Sequence, residues 1–179
     1  MNPAETADQL RAKIREVPDF PHAGILFYDI TTVLKDGEAF KSAIDLLASP
    51  FKGSEIDIVA AMESRGFVFG APLAYLLGAG FAPIRKLGKL PAERITREYA
   101  LEYGTNTLEM HRDAVKPGQR VLLVDDLLAT GGTVAASLEI VRELGGTAVA
   151  VVVMVELDAL GGRDRLKPYG VDVVSFIHY

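Results

Sequence analysis

Residues 121–133 read Val121-Leu122-Leu123-Val124-Asp125-Asp126-Leu127-Leu128-Ala129-Thr130-Gly131-Gly132-Thr133, an apolar run that stops at two adjacent carboxylates and passes into a small, glycine-containing turn. Four consecutive Val and Leu residues suit a strand buried on both faces of a parallel sheet, and such sheets gather ligands beyond the carboxyl ends of their strands. Asp125 and Asp126 are therefore expected at the strand end, on the ligand edge. The turn behind them can wrap successive backbone N–H groups round an anion, because glycine tolerates positive φ and allows close approach. A helix expected over 133–144 directs its positive dipole end at the same spot. One segment thus offers acceptors for sugar hydroxyls and donors for a phosphate.

A purely structural role fits this segment poorly. Two neighbouring acids repel unless something neutralises them, and glycines at a helix start cost about 1 kcal/mol each relative to alanine. No Lys follows the glycines, so this is not a Walker A loop, and no G-x-G-x-x-G occurs, so it is not a dinucleotide fingerprint. A ribose 5-phosphate fits the chemistry better than a nucleoside triphosphate.

Outward from this stretch, strand signals at 56–62, 81–84, 120–124, 147–155 and 171–177 alternate with helix signals at 66–77 and 133–144. That alternation predicts an α/β fold, a mostly parallel twisted sheet with helices on both faces, in one domain over 1–179. Amphipathic helices are expected at 5–16, ending before Pro18, and at 40–48, closed by Pro50. Residues 95–108 are too polar for core strands and read as a mobile hairpin. Gly161-Gly162 marks a turn into a short terminal helix.

Composition sets the outer limits. The 179 residues, 49% apolar and 24% charged, suit one soluble globular domain with a sizeable core. A net charge of -5 argues against a nucleic-acid binder but leaves room for a local basic pocket. The chain has no cysteine, hence no disulfide framework or thiolate zinc site, and the start Met1-Asn2-Pro3-Ala4-Glu5-Thr6 lacks the regions of a signal peptide. Cytoplasm is the expected setting. His22, His111 and His178 have no metal-ligand spacing.

Two further segments carry charge suited to phosphates. Met62-Glu63-Ser64-Arg65-Gly66 follows a strand and opens a helix, so the Arg65 guanidinium and helix N–H groups face the same edge as Asp125 and suit a diphosphate. From Pro83 to Arg97, the cations Arg85, Lys86, Lys89, Arg94 and Arg97 stand against the single acid Glu93. Cations placed there could stabilise the charge that develops on a leaving diphosphate.

The 125–133 segment resembles the phosphoribosyl diphosphate (PRPP) motif of type I phosphoribosyltransferases. The adenine-specific branch of that family is resembled by Phe20-Pro21 with Gly24-Ile25-Leu26-Phe27-Tyr28-Asp29-Ile30, by Glu63-Ser64-Arg65-Gly66-Phe67 with Phe69-Gly70, and by Arg85-Lys86 with Gly88-Lys89-Leu90-Pro91 followed by Leu101-Glu102-Tyr103-Gly104. The likeness spans nearly the whole chain. It implies a purine salvage enzyme that transfers the phosphoribosyl group of PRPP to adenine, giving AMP and pyrophosphate.

The resemblance also implies roles. Asp125, Asp126, Ala129, Thr130, Gly131, Gly132 and Thr133 would bind PRPP and AMP. Glu63, Ser64, Arg65, Arg85, Lys86 and Lys89 would hold pyrophosphate, with a cis peptide at Glu63-Ser64. Glu102 would be the general acid/base near N7, with Arg65 and Arg85 assisting catalysis. Leu26, Phe27, Tyr28 and Leu127 would hold adenine, although the Tyr28 position is often basic in similar enzymes. Magnesium would be carried by PRPP, with Asp125 and Asp126 nearby and no direct protein ligand. Residues 1–35 would form a base-binding hood, 94–108 a flexible catalytic loop, and the enzyme a homodimer in which a partner can supply one of the basic residues. The alternatives are a 6-oxopurine phosphoribosyltransferase and a non-catalytic PRPP-sensing regulator.

Overall fold

In the computed structural model, which describes residues 2–100 and 105–179, the first helix starts where the Asn2 side chain accepts the Ala4 N–H at 3.2 Å. Pro3 suits the opening turn, where its missing N–H is no loss. This helix, α1 (Pro3–Arg11), buries Thr6, Ala7 and Leu10. It stops short of the expected residue 16. Residues Arg15–Pro18 form β1, paired antiparallel with β2 (Leu26–Asp29), and Arg15 reaches Asp29 across the pair at 2.5 Å. The extended form suits Val17 because a residue before proline is pushed out of the helical region. A one-turn helix α2 (Thr31–Leu34) follows, then α3 (Gly37–Ala48), three residues longer than expected at its start because Asp36 accepts the Glu38 and Ala39 N–H groups.

The chain falls into two compact units, Met1–Pro50 and Phe51–Tyr179. The second is built on a seven-stranded sheet. Its strands are β3 (Ile58–Met62), β4 (Gly80–Lys86), β5 (Arg94–Ala100), β6 (Thr105–His111), β7 (Arg120–Leu128), β8 (Thr147–Glu156) and β9 (Asp172–His178), in the order β5-β6-β4-β3-β7-β8-β9. β4, β3, β7, β8 and β9 run parallel, while β5 and β6 add an antiparallel hairpin at one edge. The segment expected to be too polar for core strands is therefore part of the sheet. Its apolar minority accounts for this: Ile95, Leu108 and Met110 are buried while Thr96 and Glu98 stay outside, and the one acid drawn inside, Glu109, is met by hydrogen-bond donors.

Helices α4 (Arg65–Leu77) and α5 (Gly132–Glu143) pack on opposite faces, and the strand pleat sorts the core between them. Ala61 meets α4 at Gly70. Its neighbours Ala60 and Met62 join Leu123, Val151 and Val153 in the core with Val134, Leu138 and Val141 of α5. Each of these Val, Leu and Met side chains contributes about 1.5–3 kcal/mol on full burial. A short helix α6 (Gly162–Leu166) follows the Gly161 turn, as expected.

Candidate functional site

β3 and β7 are parallel neighbours, with Ala61 opposite Val124, so the segments leaving them emerge at one edge of the sheet. β7 continues four residues beyond the expected end: Leu127 and Leu128 still pair with Val155 and Glu156 of β8. The two acids lie inside the last turns of pleat rather than after it. The reason is the long partner β8, which supplies ladder bonds all the way to Glu156.

The pleat gives the acids different surroundings. Asp125 lines a cavity of about 80 Å³ together with Leu127, Ala129, Thr130, Gly131, Gly132 and Thr133. Asp126 is buried and its Oδ2 lies 2.9 Å from Arg65 Nε. Burial and the neighbouring Asp126 charge push the Asp125 carboxyl well above the ordinary carboxylate pKa. Burial raises Asp126 too, although Arg65 opposes the shift. A cation at the cavity mouth, or ribose hydroxyls donating to Asp125, would relieve that penalty.

No side chain caps either helix at this edge. In α4 the Phe67 N–H turns back to the Ser64 carbonyl at 3.2 Å, and the dipole ends of both helices point at this edge, an arrangement suited to an anion. Gly131 precedes α5 at φ 76°, where a side chain would be strained, and a Cβ there would meet the Gly162 carbonyl oxygen at 2.7 Å. Gly66 matters for space: a Cβ on it would lie 2.9 Å from Asp125 Oδ1 and 3.0 Å from the Val124 carbonyl oxygen. Its bareness lets α4 close on β7, which joins the 63–66 and 125–133 segments into one site.

The Glu63–Ser64 peptide is cis, as the resemblance implies. Glu63 accepts from Arg85 Nε at 2.8 Å, and Arg85 Nη1 donates to the Lys89 carbonyl at 3.3 Å. The structure thus brings Glu63, Ser64, Arg65, Arg85, Asp125, Asp126 and the 129–133 turn into one connected arrangement, with Lys86 and Lys89 exposed at the end of β4 and in the turn after it. Arg94 and Arg97 do not join the cation cluster. Arg94 pairs with Glu109 at 2.9 Å and Arg97 with Glu139 and Glu143 of α5, because the sheet hairpin carries both across to other acids.

Leu26, Phe27 and Tyr28 sit on β2 in the first unit. Leu26 and Phe20 are exposed there, and Phe20 packs edge-on against Phe27 at 5.1 Å. Glu102, with Leu101, Tyr103 and Gly104, lies outside the described residues. Two groups escape sequence reasoning. Buried Glu109 has no local motif. Glu156, Asp158 and His178 meet at the ends of β8 and β9, where Glu156 is occupied by Arg163 at 2.5 and 3.0 Å and by Ser175 at 2.5 Å.

The family profile described as "Phosphoribosyl transferase domain" matches residues 31–178. A protein of Acetivibrio thermocellus named adenine phosphoribosyltransferase is 58% identical over 171 residues, 95% of this chain and 99% of that one. The crystal structure of adenine phosphoribosyltransferase from Thermoanaerobacter pseudethanolicus has a TM-score of 0.93 at 54% identity, covering 97% of this chain and 99% of that one. The Saccharomyces cerevisiae adenine phosphoribosyltransferase, solved with an imino-altritol bisphosphate and adenine, has a TM-score of 0.90 at 38% identity over 97% and 99% of the two chains.

Proposed function

This chain belongs to the phosphoribosyl transferase family, among its adenine phosphoribosyltransferases, and on that premise we propose that it joins N9 of adenine to C1 of PRPP, giving AMP and pyrophosphate. The observation that carries this reading is the meeting of the 63–66 and 125–133 segments through Arg65 and Asp126. In the reaction the N9 lone pair forms the new bond to C1 on the face opposite the diphosphate. The bond from C1 to the bridging oxygen breaks, and its electron pair leaves with pyrophosphate.

The residues divide the work. The N–H groups at 131–133 suit the 5-phosphate, and Asp125 accepts from the ribose hydroxyls. The α4 N-terminus, Arg65, Arg85, Lys86 and Lys89 neutralise charge growing on the leaving diphosphate. Glu102 takes the proton displaced from the imidazole ring of adenine, a contribution of about 10²–10⁴ in rate. In the first unit, the Phe27 ring suits stacking on a purine and backbone groups near Leu26 and Tyr28 suit its edge; in the second, Leu127 is an apolar side chain suited to a purine face. Bound magnesium supplies positive charge that polarises the diphosphate. The metal would be held through PRPP, and the buried carboxylates Asp125 and Asp126 fit a place beside it as hard oxygen acceptors for its water shell rather than as direct ligands.

The reading extends to a homodimer in the cytoplasm. Val68, Tyr75 and Leu76 form an exposed apolar stripe on α4, with Tyr75 86% exposed, and Leu87 is exposed beside Lys86. A second copy covering these residues would bring its basic pair towards the first copy's site. Among the described residues no helix is long and apolar enough to cross a membrane.

The test is incubation with PRPP, magnesium and each nucleobase separately. AMP should form from adenine, while hypoxanthine, guanine and orotate remain unchanged, because each mismatched buried polar contact costs about 1–3 kcal/mol. Comparable turnover of hypoxanthine would overturn the assignment.

A further inference from the structure

Glu109 sits on β6 with 0% exposure, an acid fully inside the protein. Its Oε1 accepts the Lys89 and Leu90 N–H groups, both at 2.6 Å, and its Oε2 accepts the Gly88 N–H at 3.1 Å and lies 2.9 Å from Arg94 Nε. Burial works against the charge, yet these three N–H groups and the guanidinium keep its carboxyl below the ordinary pKa. An ionised, enclosed carboxylate with donors on both oxygens makes charge-assisted bonds roughly twice as strong as neutral ones.

All three N–H groups belong to one short turn. That turn joins β4 to the segment before β5, and it carries Lys89 between Gly88 and Leu90. Its Lys89 carbonyl accepts from Arg85, which in turn holds Glu63 of the cis peptide segment. Arg85 and Glu109 are direct cross-strand partners in the β4–β6 pair. Neighbours of opposite charge at that spacing would be expected to pair with each other. Here each reaches elsewhere: Arg85 to Glu63 and the turn's carbonyl, Glu109 to the turn's N–H groups. The turn is fixed from both sides, with its polar backbone facing inward and the Lys89 side chain exposed.

We infer that Glu109 is a positioning residue for diphosphate recognition, setting the 88–90 turn so that Lys89 and Arg85 present their charges to the leaving group. The inference rests on the diphosphate role proposed above for Arg85 and Lys89. Glu109 itself touches no substrate. Its effect passes through the turn, so its loss should weaken pyrophosphate and PRPP and spare adenine.

The experiment compares the unmutated protein with Glu109→Gln, a variant of the same shape whose amide has one acceptor oxygen and turns an N–H₂ towards backbone donors. Calorimetric titration with inorganic pyrophosphate and magnesium should show about tenfold weaker binding or more in the variant, the scale of a group that loses a charge-assisted bond. KM for PRPP should rise in parallel, with KM for adenine within about twofold, a split that a general loss of folded protein would not produce. Lys89→Ala should add little in the Glu109→Gln background, since both changes act through one turn. Equal pyrophosphate affinity in the two proteins, or full additivity with Lys89→Ala, overturns the inference.

If Glu109→Gln does not fold, amide exchange in the unmutated protein decides. The Gly88, Lys89 and Leu90 amides should exchange at least about 100-fold more slowly than in an unstructured chain, and unprotected rates there overturn the inference. Pyrophosphate binding by an unmutated protein that leaves adenine unreacted would overturn the base assignment alone. Absence of pyrophosphate binding would overturn the diphosphate role and this inference together.

Discussion

Arg65 Nε and Asp126 Oδ2 stand 2.9 Å apart, and the contact ties the N-terminus of α4 to β7. It pairs one member of the acidic pair with a cation, while the other, Asp125, lines the cavity at the 129–133 turn and accepts the Asp126 N–H on its Oδ1 at 2.9 Å. The two acids therefore have different consequences when replaced.

Asp125→Asn should stabilise the protein at pH 7 while impairing it as an enzyme. The folded-state pKa of Asp125 is raised, first by burial and then by Asp126. A raised carboxyl favours the fold only below its unfolded pKa, near 3.8, and this contribution is lost as pH rises through the folded value. At pH 7 the asparagine should gain about 1 kcal/mol, some 2–4 °C in Tm for a chain of this size, and the gain should shrink as pH falls towards the unfolded value. Scanning calorimetry across pH checks the sign. PRPP affinity should fall severely, more so with Asp126→Asn added, and unchanged affinity would remove support for the motif's role.

Gly66→Ala tests whether the two segments must touch. The added Cβ would meet Asp125 Oδ1 at 2.9 Å and the Val124 carbonyl at 3.0 Å, so α4 must shift. Overpacking of this kind costs about 1–3 kcal/mol. Thermal unfolding should register that loss, and PRPP affinity should fall further than stability alone explains. A variant with normal Tm and normal affinity would show that the close approach is dispensable.

Glu102→Gln should lower turnover by about 10² or more with little change in PRPP affinity, because an amide can keep a hydrogen bond but cannot exchange the proton at N7. Single-turnover kinetics separates the chemical step from binding. Turnover within about threefold of the unmutated protein would remove Glu102 from the acid/base role.

Arg85 is engaged by Glu63 of its own chain, so Lys86, exposed at the end of β4, is the better candidate to act across a dimer. A Lys86→Ala protein mixed with an Asp125→Asn, Asp126→Asn protein should regain activity, since hybrid dimers restore one intact site. Subunit exchange without recovery would place Lys86 in its own subunit's site or in none.

The centre of the parallel sheet is legible in the sequence because β3, β7 and β8 are buried on both faces over most of their length, and burial writes continuous apolar runs such as Val121–Val124. The PRPP-type turn is legible for a different reason: acids and glycines are costly at such positions unless a ligand needs them. Edges are harder. Residues 95–100 and 105–111 mix polar and apolar side chains at a sheet margin, and the buried Ile95, Leu108 and Met110 are too few to stand out. Leu10 and Ile14 do share the spacing of a helix and are both buried, yet the chain leaves the helix between them to pair β1 with β2. Glu109 has no signature at all. Its partners lie about twenty residues earlier, and only the turn of the chain brings them together.

Gly162 lies far from the 125–133 segment in sequence, and its backbone presses against the back of that turn. A Cβ on it would fall 2.2 Å from the Ala129 carbonyl oxygen and 3.0 Å from Leu128 Cγ. No unusual φ demands glycine there; volume alone does. The shape of the 129–133 turn is thus moulded from behind by a buried residue. In a saturation mutagenesis screen, position 162 should tolerate no larger side chain, behaving like a member of the motif while lying outside any pattern used to search for it.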